Sequence, residues 1–335
     1  IQTTDGGNRM STETGRESRR SGALVGVMRW MENLSDTWYA YLLLIPVFVL
    51  LGIVALYPLL RTFELSLFAL SADFSSTNFV GVGNYVGLFT GEKNRYLPGG
   101  TTFLPGGFST GALLNSALVV TIIFAVVSVF FETLIGLGQA LILDQDFYGR
   151  RWIRAAIIIP WAVPIVIQGM IFFLMFNSNV GFLTPPLADL GLLAPTNTLN
   201  DTASATFIVI VADIWKTSAF MALLILAGLQ SIDRGLYDVA KVAGATKWQQ
   251  FKLITFPLIL PTIGIAVLFR SVQAMRVYGI IDTVSSCTVV PSLSCMVVAT
   301  FTTREGTSAA IAFVTAAIIG IVVMGLIVWQ GEDAI

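Results

Sequence analysis

The 335-residue chain contains no histidine, and only 12% of its residues are charged, whereas 55% are hydrophobic. The absence of histidine excludes Ser-His-Asp and Cys-His catalysis, HExxH metal sites and histidine-based pH switches. The chain has no Gly-Lys dipeptide and therefore no phosphate-binding P-loop of its own. Two cysteines are too few for a zinc or iron–sulfur framework. We therefore expect neither an enzyme nor a metal or cofactor held by this chain.

Charge and hydropathy indicate a membrane protein. The net charge of −1 gives no indication of a nucleic-acid partner, because proteins that bind nucleic acids carry a clustered basic face. Soluble domains carry about 25% charged residues, roughly twice the share found here. The mean hydropathy is strongly positive. A chain this apolar cannot bury its hydrophobic surface in one water-soluble core, so lipid must be the solvent for much of it.

Six hydrophobic segments are long enough to cross a bilayer, whose hydrocarbon core of about 30 Å requires roughly 20 helical residues. We therefore predict an all-α, polytopic membrane protein. It comprises a polar N-terminal segment, 1–37, a transmembrane domain, 38–330, and a short tail, 331–335. The second hydrophobic segment is longer than one crossing requires, and the third contains two prolines. The predicted spans lie near 39–60, 111–143, 155–176, 206–229, 258–281 and 308–330.

The distribution of lysine and arginine predicts the orientation of these spans. The N-terminal segment and the loops 144–154 and 230–256 contain twelve basic residues, against four in 61–110, 177–205 and 282–307. Basic residues accumulate on the cytoplasmic side of membrane proteins. We therefore predict a multi-pass protein of the cell membrane with both termini in the cytoplasm. The four basic residues of the predicted outer segments are Arg61, Lys93, Arg95 and Arg304.

The predicted cytoplasmic loop 233–257 has the pattern of two short helices joined by a tight turn. Asp233 can cap the first helix, Gly244 stands where a left-handed residue ends a helix, and Thr246 with Gln249 matches a capping box for the second. Such an ordered loop is typical of a docking element, and the alternative is an amphipathic pair lying on the membrane surface. Apolar residues recur at helical spacing, namely Leu236, Val239, Ala240 and Ala243 in the first helix and Trp248, Phe251 and Ile254 in the second.

This loop resembles the EAA motif of binding-protein-dependent ABC importer permeases, in particular the carbohydrate-uptake subgroup of maltose, trehalose and glycerol-phosphate type. The motif places E-A-A three residues before G-A, followed by F, I, P and P at fixed spacing. Two positions depart from it, because Asp238 replaces the usual Glu and Ala243 stands where an Asp often precedes the Gly. The resemblance assigns ATPase coupling to Asp238, Val239, Ala240, Ala243, Gly244, Ala245, Phe251, Ile254, Pro257 and Pro261.

The resemblance extends over most of residues 38–330. Residues 214–232 look like the W-K-x-x-x-F…L-A-G-L-Q-x-I run of that subgroup, and residues 79–89 look like its F-V-G-x-x-N-Y segment. The stretch from Cys287 to Cys295 departs from it, replacing a glycine-rich T-x-G-G-P sequence. The two cysteines are compatible with a disulfide in an oxidising exterior and equally with two unpaired, small apolar side chains.

The resemblance implies a type I ABC importer permease fold that forms a translocation pathway for a sugar. It also implies a second permease subunit, two ATPase subunits that bind ATP and Mg²⁺ and grip the EAA loops, and an external solute-binding protein. ATP-driven closure of the ATPases would switch the pathway between inward and outward access. The alternatives are a secondary transporter driven by an ion gradient and a membrane anchor for a soluble complex. Inverted repeats with interrupted helices would favour the secondary transporter, and we recognise none in the sequence.

Polar residues inside the predicted spans are candidates for the substrate pathway. Intramembrane charges are costly unless they are paired or hydrated, so each marks a bundle interior or a water-lined cavity. For any single residue the alternative is structural pairing, for example of Asp213 with Lys216 or of Glu132 with an arginine. For the polar stripe along the fifth span we favour a cavity, in which aromatic side chains can stack on sugar rings. The predicted pathway residues are Asp213, Trp215, Lys216, Phe269, Arg270, Gln273 and Arg276.

Overall fold

The computed structural model describes residues 35–70 and 77–332, so most of the predicted N-terminal segment and the end of the tail lie outside the described residues. Helices dominate the described part, which confirms the predicted all-α class. Contacts divide the chain into one unit up to Arg61 and a second from Thr62 onward. Five helices of the described residues are long and apolar enough to cross a membrane, and a bent helix pair provides a sixth crossing if it forms one span.

The first of these helices, α1 (Asp36–Ser66), extends the predicted first span at both ends. Its middle contains a π-helical turn, Gly52–Leu56, which ends two residues before Pro58. A proline ring clashes with the carbonyl four residues earlier, and a widened turn moves that carbonyl away. The helix therefore passes through a proline that would otherwise end or kink it.

Short elements follow α1. The strands β1 (Phe68–Leu70) and β2 (Thr77–Phe79) form an antiparallel pair in which Phe68 lies opposite Phe79. Helix α2 (Gly83–Phe89) comes next. The amide of Asn84 donates to the carbonyls of Ser66 and Phe68, both at 2.8 Å, and so fastens α2 to the end of α1 and to β1. Two 3-10 turns, Glu92–Tyr96 and Pro98–Gly100, complete this part.

The predicted second span is divided in the structure. A short helix, α3 (Thr110–Leu114), precedes the long helix α4 (Ala117–Asp144). The break occurs because Ser116 has an extended backbone and its hydroxyl caps α4 by accepting the N–H of Val119. The first residues of the long apolar run 111–143 therefore do not belong to the spanning helix.

The predicted third span is sharply bent rather than straight. Helices α5 (Arg150–Ala162) and α6 (Ile165–Phe176) meet at an angle of 93°. Pro164 has no N–H with which to continue the helix. The buried amide of Gln168 donates to the carbonyls of Pro160 at 2.5 Å and Val163 at 2.7 Å, and so satisfies backbone groups that the bend releases.

Helix α7 (Thr184–Asp189) leads to α8 (Thr202–Gln230), which contains the whole of the predicted fourth span, and then to α9 (Arg234–Val242) in the predicted coupling loop. The next helix, α10 (Lys247–Met275), differs from the predicted fifth span, 258–281, at both ends.

The predicted connection 282–307 contains further helices, α11 (Gly279–Val284) and α12 (Leu293–Phe301), with α11 beginning just before it. The last helix, α13 (Glu305–Glu332), contains the whole of the predicted sixth span.

The centre of the fold is the pair α4 and α8, against which α10 packs. Small residues permit this close packing. An added Cβ at Gly136 of α4 would lie 2.6 Å from the Cβ of Met221 in α8, and one at Gly228 of α8 would lie 2.7 Å from the hydroxyl of Thr262 in α10. Side chains larger than hydrogen at either position would force these three helices apart.

One end of this bundle is formed by the segments that the sequence predicts to be outside. Where α4 begins, the N–H of Ala117 donates to the carbonyl of Thr102 at 2.8 Å. Ser285 directly follows α11, and Leu199 lies just before α8. The hydroxyl of Ser285 donates to the carbonyl of Leu199 at 2.6 Å. We call this the cap end, comprising residues 92–104, 195–200 and 285–304.

A disulfide joins Cys287 to Cys295 at the cap end, with their Cα atoms 5.3 Å apart. The turn Pro98–Gly100 packs closely on the loop that the disulfide closes, because an added Cβ at Gly99 would lie 2.8 Å from the Cβ of Thr288. Gly99 also has a φ of +62°, which side chains other than hydrogen rarely adopt. The disulfide and the glycine at position 99 therefore together fix the conformation of this part of the cap end.

Candidate functional site

The loop 233–257 lies where α4 ends, at the opposite end of that helix from the cap end. The guanidinium of Arg234 donates two hydrogen bonds, of 2.7 and 3.0 Å, to the carboxylate of Asp144, the last residue of α4. The hydrogen bond to Asp144 is the main cause that raises the pKa of Arg234 above its ordinary value. We call this part the coupling end, comprising residues 144–150 and 231–250. The ion pair holds the start of α9 against α4, and nothing in the local sequence pattern indicates it.

The turn between α9 and α10 has the geometry that its sequence predicts. The carboxylate of Asp233 accepts the N–H of Gly235 at 2.9 Å and caps α9. Gly244 has a φ of +81°, the left-handed conformation expected at the end of that helix. The side chains of Thr246 and Gln249 each bond the backbone N–H of the other, at 3.3 and 2.8 Å, in a capping box.

The second predicted short helix is continuous with the fifth span. Helix α10 runs for 29 residues from Lys247, or about 44 Å at 1.5 Å per residue. Pro257, the last residue of the predicted loop, and Pro261, near the start of the predicted span, both lie inside this helix. A π-helical turn, Phe251–Thr255, ends two residues before Pro257, as in α1, and lets the helix continue. The C-terminal part of the loop 233–257 is therefore continuous with a membrane-spanning segment.

A second contact holds α9 on the side facing α10. The hydroxyls of Tyr237 and Thr255 lie 2.9 Å apart. On the other side, the apolar residues of α9 are largely exposed, with Val239 71% exposed and Val242 92% exposed. An added Cβ at Gly244 would have no heavy atom within 4 Å. Among the described residues, this apolar face and the adjoining turn are open to contact by another chain.

Three charged side chains meet between the central helices. The guanidinium of Arg270 in α10 donates to both carboxylate oxygens of Glu132 in α4, at 2.5 and 2.9 Å, and also to the carboxylate of Asp213 in α8. Glu132 is fully buried, and Asp213 and Arg270 are each 3% exposed. We call these three residues the buried triad. It cross-links the three helices that form the centre of the bundle.

The triad is further stabilised by a threonine. The hydroxyl of Thr217 lies 2.5 Å from a carboxylate oxygen of Glu132 and 2.5 Å from the carbonyl of Asp213. Because a hydroxyl has one proton, it donates to one of these oxygens at a time. Buried charges are tolerated when they are paired and hydrogen-bonded in this way. The sequence indicates an arginine partner for Glu132, but nothing in its pattern indicates the contact with Thr217.

The structure divides the predicted pathway residues into two environments. Asp213 and Arg270 are buried in the triad, and Asp213 pairs with Arg270 rather than with Lys216. The other polar residues of the stripe, Gln273 and Arg276, are exposed. A step of three residues turns a helix by about 60° from its starting direction, so the stripe passes from the packed face of α10 to an open one. The predicted stripe is therefore not one continuous surface.

The two predicted aromatic residues remain accessible. Phe269 is 55% exposed, next to the buried Arg270 on α10. Trp215 on α8 is partly exposed, and its ring lies 5.7 Å from that of Phe172 in α6. Lys216 beside it is half-buried. Trp215, Lys216, Phe269, Gln273 and Arg276 thus stay candidates for contact with a substrate or another subunit.

Comparisons with known proteins identify the family. The model of the family described as "Binding-protein-dependent transport system inner membrane component" matches residues 132–330. The trehalose/maltose transport system permease protein MalF of Thermococcus litoralis is 36% identical over 241 residues, which cover 72% of this chain and 75% of that protein. The sulfoquinovosyl glycerol transport system permease protein SmoG of Agrobacterium fabrum is 34% identical over 255 residues, 75% of each chain.

The fold has a known counterpart. A chain in the crystal structure of a bacterial ABC transporter involved in the import of the acidic polysaccharide alginate superposes with a TM-score of 0.67 at 20% identity. The superposition covers 91% of this chain and 99% of that one, and so shows the fold of an ABC importer permease. The chain therefore belongs to the family of inner membrane components of binding-protein-dependent transport systems, as a permease component and not a catalytic subunit.

Proposed function

We propose that this chain is a permease subunit of an ATP-driven, solute-binding-protein-dependent importer and forms part of the translocation pathway for a sugar. The relatives named above support a carbohydrate substrate, because their names specify trehalose, maltose and sulfoquinovosyl glycerol. The proposal that partner ATPases drive the chain rests on one observation. The open apolar face of α9 and Gly244 adjoin a helix that continues without interruption into the bundle.

The proposed partners are a second permease subunit, identical or not, two ATPase subunits that bind ATP and Mg²⁺, and an external solute-binding protein. In this arrangement each ATPase holds α9 of one permease. Closure of the ATPases displaces α9, and α10 carries the displacement toward the cap end because Lys247–Met275 is one helix. The buried triad then transfers the load from α10 to α4 and α8. The pathway between the permeases switches between outward and inward access as these helices move.

Uptake into vesicles distinguishes this proposal from transport driven by an ion gradient. Membranes containing this chain and its host's ATPase subunits should take up labelled trehalose or maltose only when ATP and the solute-binding protein are supplied. A protonophore should leave this uptake unchanged as long as ATP is present. Uptake that persists without ATP and stops when the protonophore is added would identify a secondary transporter instead.

The proposed topology leads to a separate prediction, which concerns the membrane side of the coupling end and of the cap end. With Cys287 and Cys295 replaced by serine, a cysteine at position 245 should react with an impermeant maleimide only after the cytoplasmic side is opened. A cysteine at position 200 should react in intact cells. The reason is that the N-terminal segment and the loops 144–154 and 230–256 contain twelve basic residues, against four in the predicted outer segments, and the positive-inside rule places the basic segments in the cytoplasm. Labelling of both positions from the same side would contradict the proposed topology.

The accessible polar residues at the end of α10, Gln273 in its last turn and Arg276 directly after it, are predicted to contact the substrate. Gln273→Ala and Arg276→Ala should each reduce uptake several-fold while leaving assembly with the partner subunits unchanged. Both side chains are exposed, so truncating them removes few packing contacts. Ile265→Ala is the matched control, since Ile265 is 52% exposed on the same helix but has no polar group to offer a sugar. Normal uptake by both polar variants would remove these residues from the pathway.

A further inference from the structure

Three of the four basic residues in the predicted outer segments converge on one aromatic ring at the cap end. The guanidinium carbons of Arg95 and Arg304 each lie 4.7 Å from the centre of the Tyr96 ring, and the ammonium of Lys93 lies 5.6 Å from it. Arg304 is supplied by the distant turn between α12 and α13. We call these four residues the tyrosine-centred cluster. The fold, and not local sequence, brings its cations together.

The backbone of the cluster is held by specific contacts. The side chain of Asn94, within the same 3-10 turn, accepts the N–H of Phe103 at 3.1 Å. The N–H of Arg304 donates to the carbonyl of Thr300 at 2.7 Å. The stem of Lys93 lies against α2, because an added Cβ at Gly87 would lie 2.8 Å from its Cγ. The three cations therefore project from a fixed frame.

Carboxylates of the described residues do not pair with the cations of the cluster. Within residues 35–70 and 77–332, none of the three cations forms an ion pair with a carboxylate. Glu305 follows Arg304 but stands in the first turn of α13, where a negative charge complements the helix dipole. Cations at such short separations repel one another, and contact with a tyrosine ring offsets this only in part. The cluster therefore presents an uncompensated positive surface to an external anion.

The exposure of the cluster indicates what kind of anion it receives. Arg95 is exposed, and Lys93, Tyr96 and Arg304 are half-buried, so the cluster is part of a surface and not an enclosed cavity. Small ligands generally bind in concave sites. A guanidinium stacked on a ring keeps its in-plane N–H groups free to bind a carboxylate through two parallel hydrogen bonds. This geometry suits carboxylates presented by the surface of another protein.

Resting on the proposed function, we infer that the tyrosine-centred cluster is the docking site for an acidic surface of the external solute-binding protein. The cluster lies at the cap end, and the ATPase-coupling loop lies at the other end of α4. Two partners therefore have separate sites on opposite sides of the membrane. Complementary charge at such a site accelerates association and makes it sensitive to salt.

The test is a titration of the reconstituted transporter, containing this full chain and its partner subunits, with the substrate-loaded solute-binding protein that supports its uptake. The readout is the concentration of that protein giving half-maximal ATPase stimulation, at low and high salt. The triple variant Lys93→Gln, Arg95→Gln, Arg304→Gln should raise this concentration about tenfold at low salt, or about two- to threefold for each lost cation. Its maximal rate should be unchanged, and its salt dependence should be weaker.

Three single variants sharpen the test. Glu92→Gln removes a negative charge adjacent to Lys93 and should shift half-saturation in the opposite direction, to a lower concentration of the solute-binding protein. Tyr96→Phe keeps the ring and should behave as the unchanged chain, whereas Tyr96→Leu removes the surface on which the guanidinium groups stack and should resemble the triple variant.

The outcomes separate this inference from the proposed function. If the unchanged transporter shows no stimulation by the solute-binding protein, the proposed function fails. If it is stimulated but the triple variant has the same half-saturation and salt dependence, the docking site is wrong. If the triple variant differs only in phosphatidylglycerol vesicles and not in phosphatidylcholine vesicles, the cluster binds anionic lipid, and the docking inference is overturned.

Discussion

Arg270→Met is expected to prevent the chain from folding stably in the membrane. The substitution leaves the carboxylates of Glu132 and Asp213 buried without their common partner. Removing one member of a buried ion pair costs about 3–5 kcal/mol, which is a large part of the stability of most domains. The yield of detergent-purified chain and its thermal midpoint should both fall strongly.

The matched control for this prediction is Arg276→Met. It makes the same chemical change six residues later, at the residue that follows the last residue of α10, but Arg276 is exposed and has no ion pair among the described residues. Its yield and thermal midpoint should stay close to those of the unchanged chain. Equal behaviour of the two variants would show that the triad does not support the fold.

A triad without charges provides a second test of whether an unpaired buried charge is what destabilises the chain. Combining Arg270→Met with Glu132→Gln and Asp213→Asn removes all three charges at nearly constant volume. Removing one partner of a buried ion cluster is costly mainly because it leaves an uncompensated buried charge, and no such charge remains in this triple variant. The triple variant should therefore recover much of the yield that Arg270→Met loses. If it folds no better than the single variant, the loss comes from packing and not from charge.

Gly244→Leu is expected to uncouple the transporter without preventing its insertion. A φ of +81° is unfavourable for leucine by about 1–2 kcal/mol. Within the chain the new side chain would meet open space, so the strain is the main effect on the fold. Against a docked ATPase, however, it would intrude on the surface beside α9. ATPase co-purification and ATP-dependent uptake should fall at least tenfold, while the amount of chain in the membrane stays normal.

Gly149 supplies a control with the same backbone requirement. It has a φ of +90°, and an added Cβ there would also have no heavy atom within 4 Å. It caps α5 at the coupling end but lies outside the loop 233–257. Gly149→Leu should therefore incur similar strain and retain ATPase binding. Full uptake by Gly244→Leu, or an equal loss in both variants, would contradict the assignment of this loop as the docking element.

The features that could be predicted from the sequence depend on neighbouring residues. Asp233, Gly244 and the Thr246–Gln249 pair define caps and a turn within a few positions, so their pattern predicts their geometry. The hydrophobic runs likewise predict spanning helices, because length and composition suffice. In each case the interaction that determines the structure lies within a short stretch of chain.

The features that the sequence did not predict depend on contacts between distant segments or on unusual helical turns. The 93° bend depends on the Gln168 side chain reaching back to released carbonyls. The continuity of α10 depends on a π-helical turn that accommodates Pro257. The burial of Arg270 beside exposed positions of the same stripe depends on how α10 is rotated against α4 and α8. Hydropathy and charge patterns contain no information on that rotation.

The buried triad also constrains how the chain inserts into the membrane during its synthesis. Glu132 and Asp213 leave the ribosome well before Arg270, since chain order places α4 and α8 ahead of α10. An unpaired acidic residue at the centre of a membrane helix opposes insertion by about 2.5–3.5 kcal/mol. The first four spans must therefore enter the bilayer with two uncompensated carboxylates, or wait beside the insertion machinery. Arrival of the fifth span supplies the missing cation, so the triad is completed by the same helix that we propose to carry the coupling motion.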